Sequence, residues 1–291
     1  MINKIKLLSK LGWYKMTQKY ANSSQDYDKA SGDYDTFFSD KMGRHSIQLL
    51  NKLDIKPGQD VLELACGTGF ITNEIAKRLE GSGSITTVDQ SQGMLEVAKA
   101  KLSSYSTLKL NMQQNDMMRF LGQTPDCHFN TVVCGWAICY TNPVQFMREV
   151  NRVLKPNGQV GIIETRIDSE ELLMTAFEKV LSNDPSYLRR YINIKLPSNS
   201  DVLKRWFLKG DLNTTDLWEG EQPIPCVTSE DALEWILRSG AAAGFLDVID
   251  RTREQEMLGK IKEELDRTLL EEKKLRLSHT YVAGVASKEI S

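Results

Sequence analysis

The sequence has little that would place it in a secreted, metal-binding or nucleic-acid-binding class. Cysteine is sparse: Cys66, Cys127, Cys134, Cys139 and Cys226 are odd in number and show no CxxC or Cys/His spacing. No metal site is therefore expected, and the thiols read as reduced, in a cytoplasmic protein. No stretch approaches the roughly 18 apolar residues of a membrane span. The opening MINKIKLLSKLGWYKMTQKY lacks the apolar run and small-residue cleavage site of a signal peptide. It also lacks any acid, while Lys4, Lys6, Lys10, Lys15 and Lys19 make it basic and weakly amphipathic. A helix packed on its own domain is expected there, with contact at a membrane surface as the alternative. An excess of charge of one sign is missing too: 37 Lys and Arg against 39 Asp and Glu leave a net charge of -2, which removes the simplest electrostatic case for nucleic-acid binding while leaving a local basic patch open.

What remains is the composition of a globular domain, with 41% hydrophobic and 26% charged residues in a chain of 291. Residues 20 to 46 are polar and aromatic, with Tyr27, Tyr34, Phe37 and Phe38 at helix-like spacings, and predict short helices. SIQLLNKLDI reads as a further helix. From residue 60 onward, strands alternate with helices: DVLELAC, SITTVDQ, LKLNMQQND, FNTVVCGWAI and QVGIIET are strands 1 to 5, and KPNG is a turn that ends the helix before the fifth. Strict alternation calls for a parallel sheet with helices on both faces. After Glu164 the rhythm breaks for about eighty residues, until FLDVID (245–250) offers a sixth strand. A charged helix near 252–276 and a last strand, TYVAGVAS, complete the chain.

The stretch VLELACGTGF carries the strongest functional signal. Gly67 and Gly69 follow a strand as in a nucleotide-binding turn, but the third glycine of the dinucleotide pattern is replaced by Thr72. Ligands of an open parallel sheet sit beyond the carboxyl ends of its strands, where strand order reverses. Asp89, at the end of strand 2, is placed to accept two ribose hydroxyls, and Asp116, at the end of strand 3, to accept an amino proton from adenine. Glu63 lies inside strand 1; it would repel a pyrophosphate and attract an amino group. The ligand that fits has adenine, ribose and a cationic amino-acid tail. A nicotinamide oxidoreductase would need the missing glycine and no Glu63.

In order and spacing, VLELACGTG, TTVDQS, QQNDMM and VLKPNGQVGIIE resemble the motif series of class I S-adenosylmethionine-dependent methyltransferases, close to the small-molecule branch with the ubiquinone and menaquinone enzymes. YDTFFSDKMGRHS resembles the segment that precedes the first motif in many of them. The resemblance implies a Rossmann-like, seven-stranded, mostly parallel α/β sheet whose last strand is antiparallel. It implies that Glu63, the Gly67–Gly69 turn, Asp89 and Asp116 hold S-adenosylmethionine. With their neighbours Ala65, Cys66, Gln90, Met94, Asn115, Met117 and Gly135 they make up the expected cofactor set, joined by Arg44 and by Tyr27 and Tyr34 from an amino-terminal lid. Two positions depart from the family pattern: Asn130 replaces the usual acid that opens strand 4, and His45 replaces a bulky aromatic.

The domains expected are a helical lid (1–46), the cofactor-binding core (47–164), a substrate-cover insertion (165–244) and carboxy-terminal strands with a long helix (245–291). Methyl transfer is an in-line displacement that needs alignment more than a base, so no universal catalytic residue is expected. His45, Trp136 and Glu164 are the candidates. His128 falls in a turn remote from the crevice. Trp136, Tyr140, Tyr191 and Trp206 are candidates for the substrate wall, with a plain core role as the alternative for Trp136 and for the aromatics of the insertion. The partner expected is a small, apolar or aromatic metabolite, with no nucleic acid, no stable membrane insertion and a homodimer left open. A nucleic-acid or protein methyltransferase and a non-catalytic cofactor-binding module stand as the competing readings.

Overall fold

In the computed structural model, which describes residues 2–21, 24–240 and 245–289, the alternating stretch builds the parallel part of one sheet. Its strands are β1 (Asp60–Leu64), β2 (Ser84–Asp89), β3 (Lys109–Gln114), β4 (Phe129–Gly135), β5 (Leu154–Thr165), β6 (Asn213–Ile224) and β7 (Leu277–Ser287), in the order β3-β2-β1-β4-β5-β7-β6. The pairs from β3 across to β5 are parallel, whereas β5 and β7 are antiparallel, with Gln159 opposite Ser287 and Thr165 opposite Tyr281. Strand order reverses between β1 and β4, so the crevice of this sheet lies beyond their carboxyl ends.

Side chains alternate between the two faces of each strand. Leu62, Leu64, Val132, Cys134, Val160 and Ile162 join one apolar cluster with Phe146 and Met147 of the helix Pro143–Val153 and with Leu203 and Phe207 of the helix Ser200–Lys209. On the other face a side chain at Gly161 would meet Leu49 and Leu53, and one at Gly135 would meet Ile71. The helices Asp40–Leu50 and Phe70–Leu79 therefore lie against that face, which also carries Val61 and Glu63.

The chain folds into two compact units. One comprises Ser39–Ile167, Ile194–Glu221 and Thr280–Ser291; the other comprises Met1–Phe38, Asp168–Asn193 and Gln222–His279. In the latter, the helix Glu171–Asn183 packs on the helix Glu254–Glu272, and the helix Ser229–Arg238 on the same long helix.

Three sequence expectations change. FLDVID is not a strand: Phe245–Val248 is a short helix, and Ile249 makes only an isolated bridge to Leu188. A brief apolar run has no periodicity with which to choose between helix and strand. The remaining strand is β6, hidden inside the interval after β5. Its residues NTTDLWEGEQPI are mostly polar because it is an edge strand with limited burial, and an edge tolerates Pro223. KPNG does not simply stop a helix. Lys155 to Gly158 lie within β5 as a bulge, where register shifts between Phe129 and Thr131 and Asn157 takes a left-handed φ of 60°. The helix read from Ser46 onward starts at Asp40 instead.

Asn130, the departure that opens β4, has a structural task. Its Oδ1 accepts from Asp60 N at 2.9 Å and from Lys155 Nζ at 3.0 Å, and the same ammonium reaches Asp60 Oδ2 at 2.8 Å. An amide oxygen thus replaces a carboxylate in tying β1, β4 and the bulge together.

Phe146 is fully buried in the apolar cluster. Phe146→Ala should cost about 3–5 kcal/mol through lost burial and the cavity left behind; urea unfolding monitored by circular dichroism measures it, and a loss below about 1 kcal/mol would show that the site collapses to fill itself.

Candidate active site

The turn after β1 forces the chain through three left-handed residues: Ala65 at φ 58°, Gly67 at 52° and Gly69 at 77°. The two glycines are there for different reasons. A Cβ on Gly69 would lie 3.0 Å from Ala98 Cβ, so this glycine lets the helix Gln92–Leu102 pack closely. A Cβ on Gly67 would meet nothing within 4 Å. Its backbone faces open space, which is the room a ligand needs. The turn is held from the neighbouring strand. Cys66 N donates to Val88 O at 3.1 Å, and Gly67 N donates to Asp89 Oδ2 at 2.8 Å, while Asp89 Oδ1 accepts from Ser91 N at 2.8 Å.

Glu63 sits just before this turn, 1% exposed, and Thr72 Oγ1 donates to its Oε2. Thr72, the residue in place of a third glycine, is thus the partner of the acid. Burial pushes the Glu63 carboxyl up to about 8; the Thr72 hydrogen bond opposes this and the nearby Asp89 charge adds to it. Glu63 is therefore a neutral acid near pH 7 that would ionise on meeting a cation. Burial also holds the Cys66 and Cys134 thiols well above their ordinary range, so neither is a nucleophile.

Asp116 caps the helix Met117–Gln123, with Oδ1 accepting from Arg119 N at 2.8 Å and Oδ2 from Gln90 Nε2 at 2.7 Å. Asn115 N donates to Asp89 O at 3.0 Å. The structure thereby brings Gln90, Asn115 and Asp116 to one place, at the ends of β2 and β3. Met94 and Met117 are buried beneath them at the starts of their helices.

The MGRHS segment lies on the helix Asp40–Leu50. A Cβ on Gly43 would fall 2.4 Å from the ring of Phe70, the residue that opens the helix after the glycine turn. Arg44 follows, exposed, and its Nε donates to His45 Nε2 at 3.3 Å. His45 is buried, with Nδ1 2.8 Å from the hydroxyl of Tyr281. Trp136, beyond β4, adopts a left-handed φ of 62°; its Nε1 donates to Ser46 Oγ at 3.0 Å, and its ring stands edge-on to Tyr281 at 5.8 Å. The sequence does not point to Ser46 or Tyr281. TYVAGVAS shows only a strand, and nothing local in it marks Tyr281 as a partner of His45. Glu164 is buried with its oxygens committed: Oε2 accepts from Cys139 N at 3.0 Å and Oε1 from Thr165 N at 2.7 Å. It props the turn after β4 instead of offering a base.

The substrate candidates fare unequally. Tyr140 is exposed next to β4. Trp206 packs on the main apolar cluster. Tyr191 belongs to the other unit, beside Tyr20 with ring centres 6.2 Å apart. In that unit Tyr27 and Tyr34 also meet edge-on at 6.4 Å, and Tyr34 continues to Phe38, which stacks on Trp235. Among the described residues no group of three or more His, Cys, Asp or Glu could hold a metal ion, and no helix is long and apolar enough to cross a membrane.

Residues 61–158 match the model of a methyltransferase domain family. The chain is 31% identical over 144 residues to a demethylmenaquinone methyltransferase of Lactobacillus johnsonii, covering 49% of this chain and 58% of that one. It is 26% identical to a ubiquinone/menaquinone biosynthesis C-methyltransferase of Hydrogenovibrio crunogenus, covering 65% and 81%. Residues 61–158 are thus similar to a methyltransferase domain, and the chain spans a little over half the length of the Lactobacillus johnsonii relative. The chain's fold is shared with a solved structure from Bacillus halodurans, at a TM-score of 0.56 and 20% identity over 84% of this chain and 99% of that one.

Two features of this turn would suit S-adenosylmethionine: the open space over Gly67 and the buried, protonated Glu63 beside it. Without ligand, Glu63 stabilises the fold fully below its unfolded pKa, about 4.3, and that contribution is lost as pH rises towards about 8. A bound α-ammonium would favour the ionised form, so binding should release a proton. Affinity for S-adenosylhomocysteine should then rise between about pH 5.5 and 7.5, by up to about tenfold per unit. Calorimetry across this range should find the slope in the native protein and a flat profile in Glu63→Gln. A flat profile in both would remove Glu63 from the ammonium site.

Proposed function

We propose that this chain transfers the methyl group of S-adenosylmethionine to a small, apolar or aromatic acceptor. The observation that carries the reading is the left-handed turn with open space over Gly67, tied to Asp89 and backed by a protonated Glu63. The names of the quinone-modifying relatives support a ring acceptor.

In this reading Asp89 holds the ribose, its oxygens exchanging or sharing their present backbone donors with the two hydroxyls. Asp116 and Asn115 take the adenine edge. Glu63 takes the ammonium, and Arg44 the carboxylate. The cofactor supplies a methyl group on a sulfonium, a bond already poised to break. The protein's part is to align the acceptor and exclude water. Trp136 and Tyr140 stand next to β4, where the acceptor would approach.

His45 enters as a positioning residue. An arginine Nε–H can only donate, so in neutral His45 Nε2 accepts and the proton resides on Nδ1, directed at the Tyr281 oxygen. That leaves the Tyr281 hydroxyl proton to be donated to an acceptor oxygen. Burial holds the phenol above its ordinary range, so it stays protonated. Tyr281 is thus the proposed hydrogen-bond donor to an oxygenated ring.

The reading is tested by incubating the protein with methyl-labelled S-adenosylmethionine and a panel of demethylated naphthoquinols and phenols. Label should reach a small molecule; label found only in protein or nucleic acid would overturn the acceptor class. Asp89→Ala should weaken S-adenosylhomocysteine binding by about tenfold or more, one charge-assisted hydrogen bond being worth roughly 1.5–3 kcal/mol; native affinity in a folded variant would mean the ribose is held elsewhere. Tyr281→Phe should lower turnover by about tenfold while leaving that affinity within about threefold, since only the acceptor loses a hydrogen bond. Full turnover would exclude Tyr281 as the donor.

A further inference from the structure

The amino-terminal helix Ile2–Met16 belongs to neither the cofactor site nor the matched domain. One of its faces is packed. Lys10 Nζ donates to Pro185 O at 3.1 Å, the Tyr14 hydroxyl donates to Leu188 O at 3.4 Å, and Leu7 and Leu11 on the same side are half-buried. Burial and the nearby Arg189 lower the pKa of Lys10, as befits a lysine turned inward.

The opposite face is apolar and bare. Ile5 is 59% exposed, Leu8 61%, Trp13 59% and Met16 70%. At 100° per residue these four side chains fall within about 140° of one another. Isolated apolar residues on a surface need no explanation, but four on one side of one helix form a patch. Exposed Lys6 and Lys15 flank it, and Lys19 follows the helix. The chain has no acid before Asp26, and the Asp26 carboxylate is already paired with Arg251.

We propose that this face docks the protein reversibly on an anionic phospholipid surface. The apolar stripe enters the boundary between headgroups and acyl chains, Trp13 sits at the level of the headgroups, and the lysines meet lipid phosphates. Charge selects this occupant over a second copy of the chain. A two-fold contact would set one lysine-flanked, acid-free helix against another, whereas an anionic bilayer neutralises both flanks. Lys10 takes no part, since its ammonium is engaged by backbone carbonyls. The inference is independent of the methyltransferase reading, and its test requires no substrate.

Full-length protein is floated with phosphatidylcholine vesicles, with and without about one-third phosphatidylglycerol. Partitioning should be roughly tenfold or more greater with the anionic lipid and should fall at high salt. The double variant Leu8→Glu/Met16→Glu, placed on bare positions, should lose this binding while keeping its thermal midpoint. Lys6→Glu/Lys15→Glu should lose the preference for anionic lipid. Equal partitioning of the native protein and the Leu8/Met16 variant would overturn the proposal, as would equal binding to neutral and anionic vesicles. A native dimer in sedimentation, dissolved by the Leu8/Met16 variant and unaccompanied by vesicle binding, would assign the face to a second copy.

Discussion

The hydrogen bond from Gly67 N to Asp89 Oδ2 joins the ends of the two strands on which this site depends. It links a turn that must run through left-handed backbone to the acid that closes β2. Because the same carboxylate also accepts from Ser91 N, it sets the start of the helix Gln92–Leu102. That helix in turn presses Ala98 against Gly69. Turn, acid and helix are therefore one closed loop of constraints, and the open space above Gly67 is its product.

Beneath this loop lies an energetic compromise. Glu63 is a buried carboxyl, which is costly unless neutral or paired. In the ligand-free protein it avoids the cost by keeping its proton and taking a hydrogen bond from Thr72. The cost is thus deferred to the moment a cation arrives. A dinucleotide site has no use for such a group, because two phosphates would make its ionisation worse. The pairing of Glu63 with Thr72 explains together two features that the sequence presents separately: an acid within β1 and a missing third glycine.

The cluster proposed to face the acceptor is built on a different logic. His45, Ser46, Trp136 and Tyr281 come from one helix, one turn and the antiparallel strand β7, and are joined by side-chain hydrogen bonds and ring contacts. Their polar atoms are largely used on one another. In the proposed transfer such a wall would orient a reactant without supplying a strong base.

The sequence by itself determined the cofactor half. Period-two apolar runs, glycine at left-handed positions and acids at strand ends act within a few residues of each other, and a parallel sheet places successive strand ends side by side. The parallel strands and the cofactor class were legible for that reason, whereas the antiparallel β7 was implied only by the family resemblance. Tertiary structure alone decided the rest. β6 lacks apolar alternation because an edge strand is only partly buried, and FLDVID reads equally well as helix or strand when so short. Glu164 reads as a base from the sequence, but the backbone amides of Cys139 and Thr165 occupy it. Tyr281 meets His45 across 236 residues. No local pattern encodes a contact of that range, because it arises only when the sheet brings β7 beside β5.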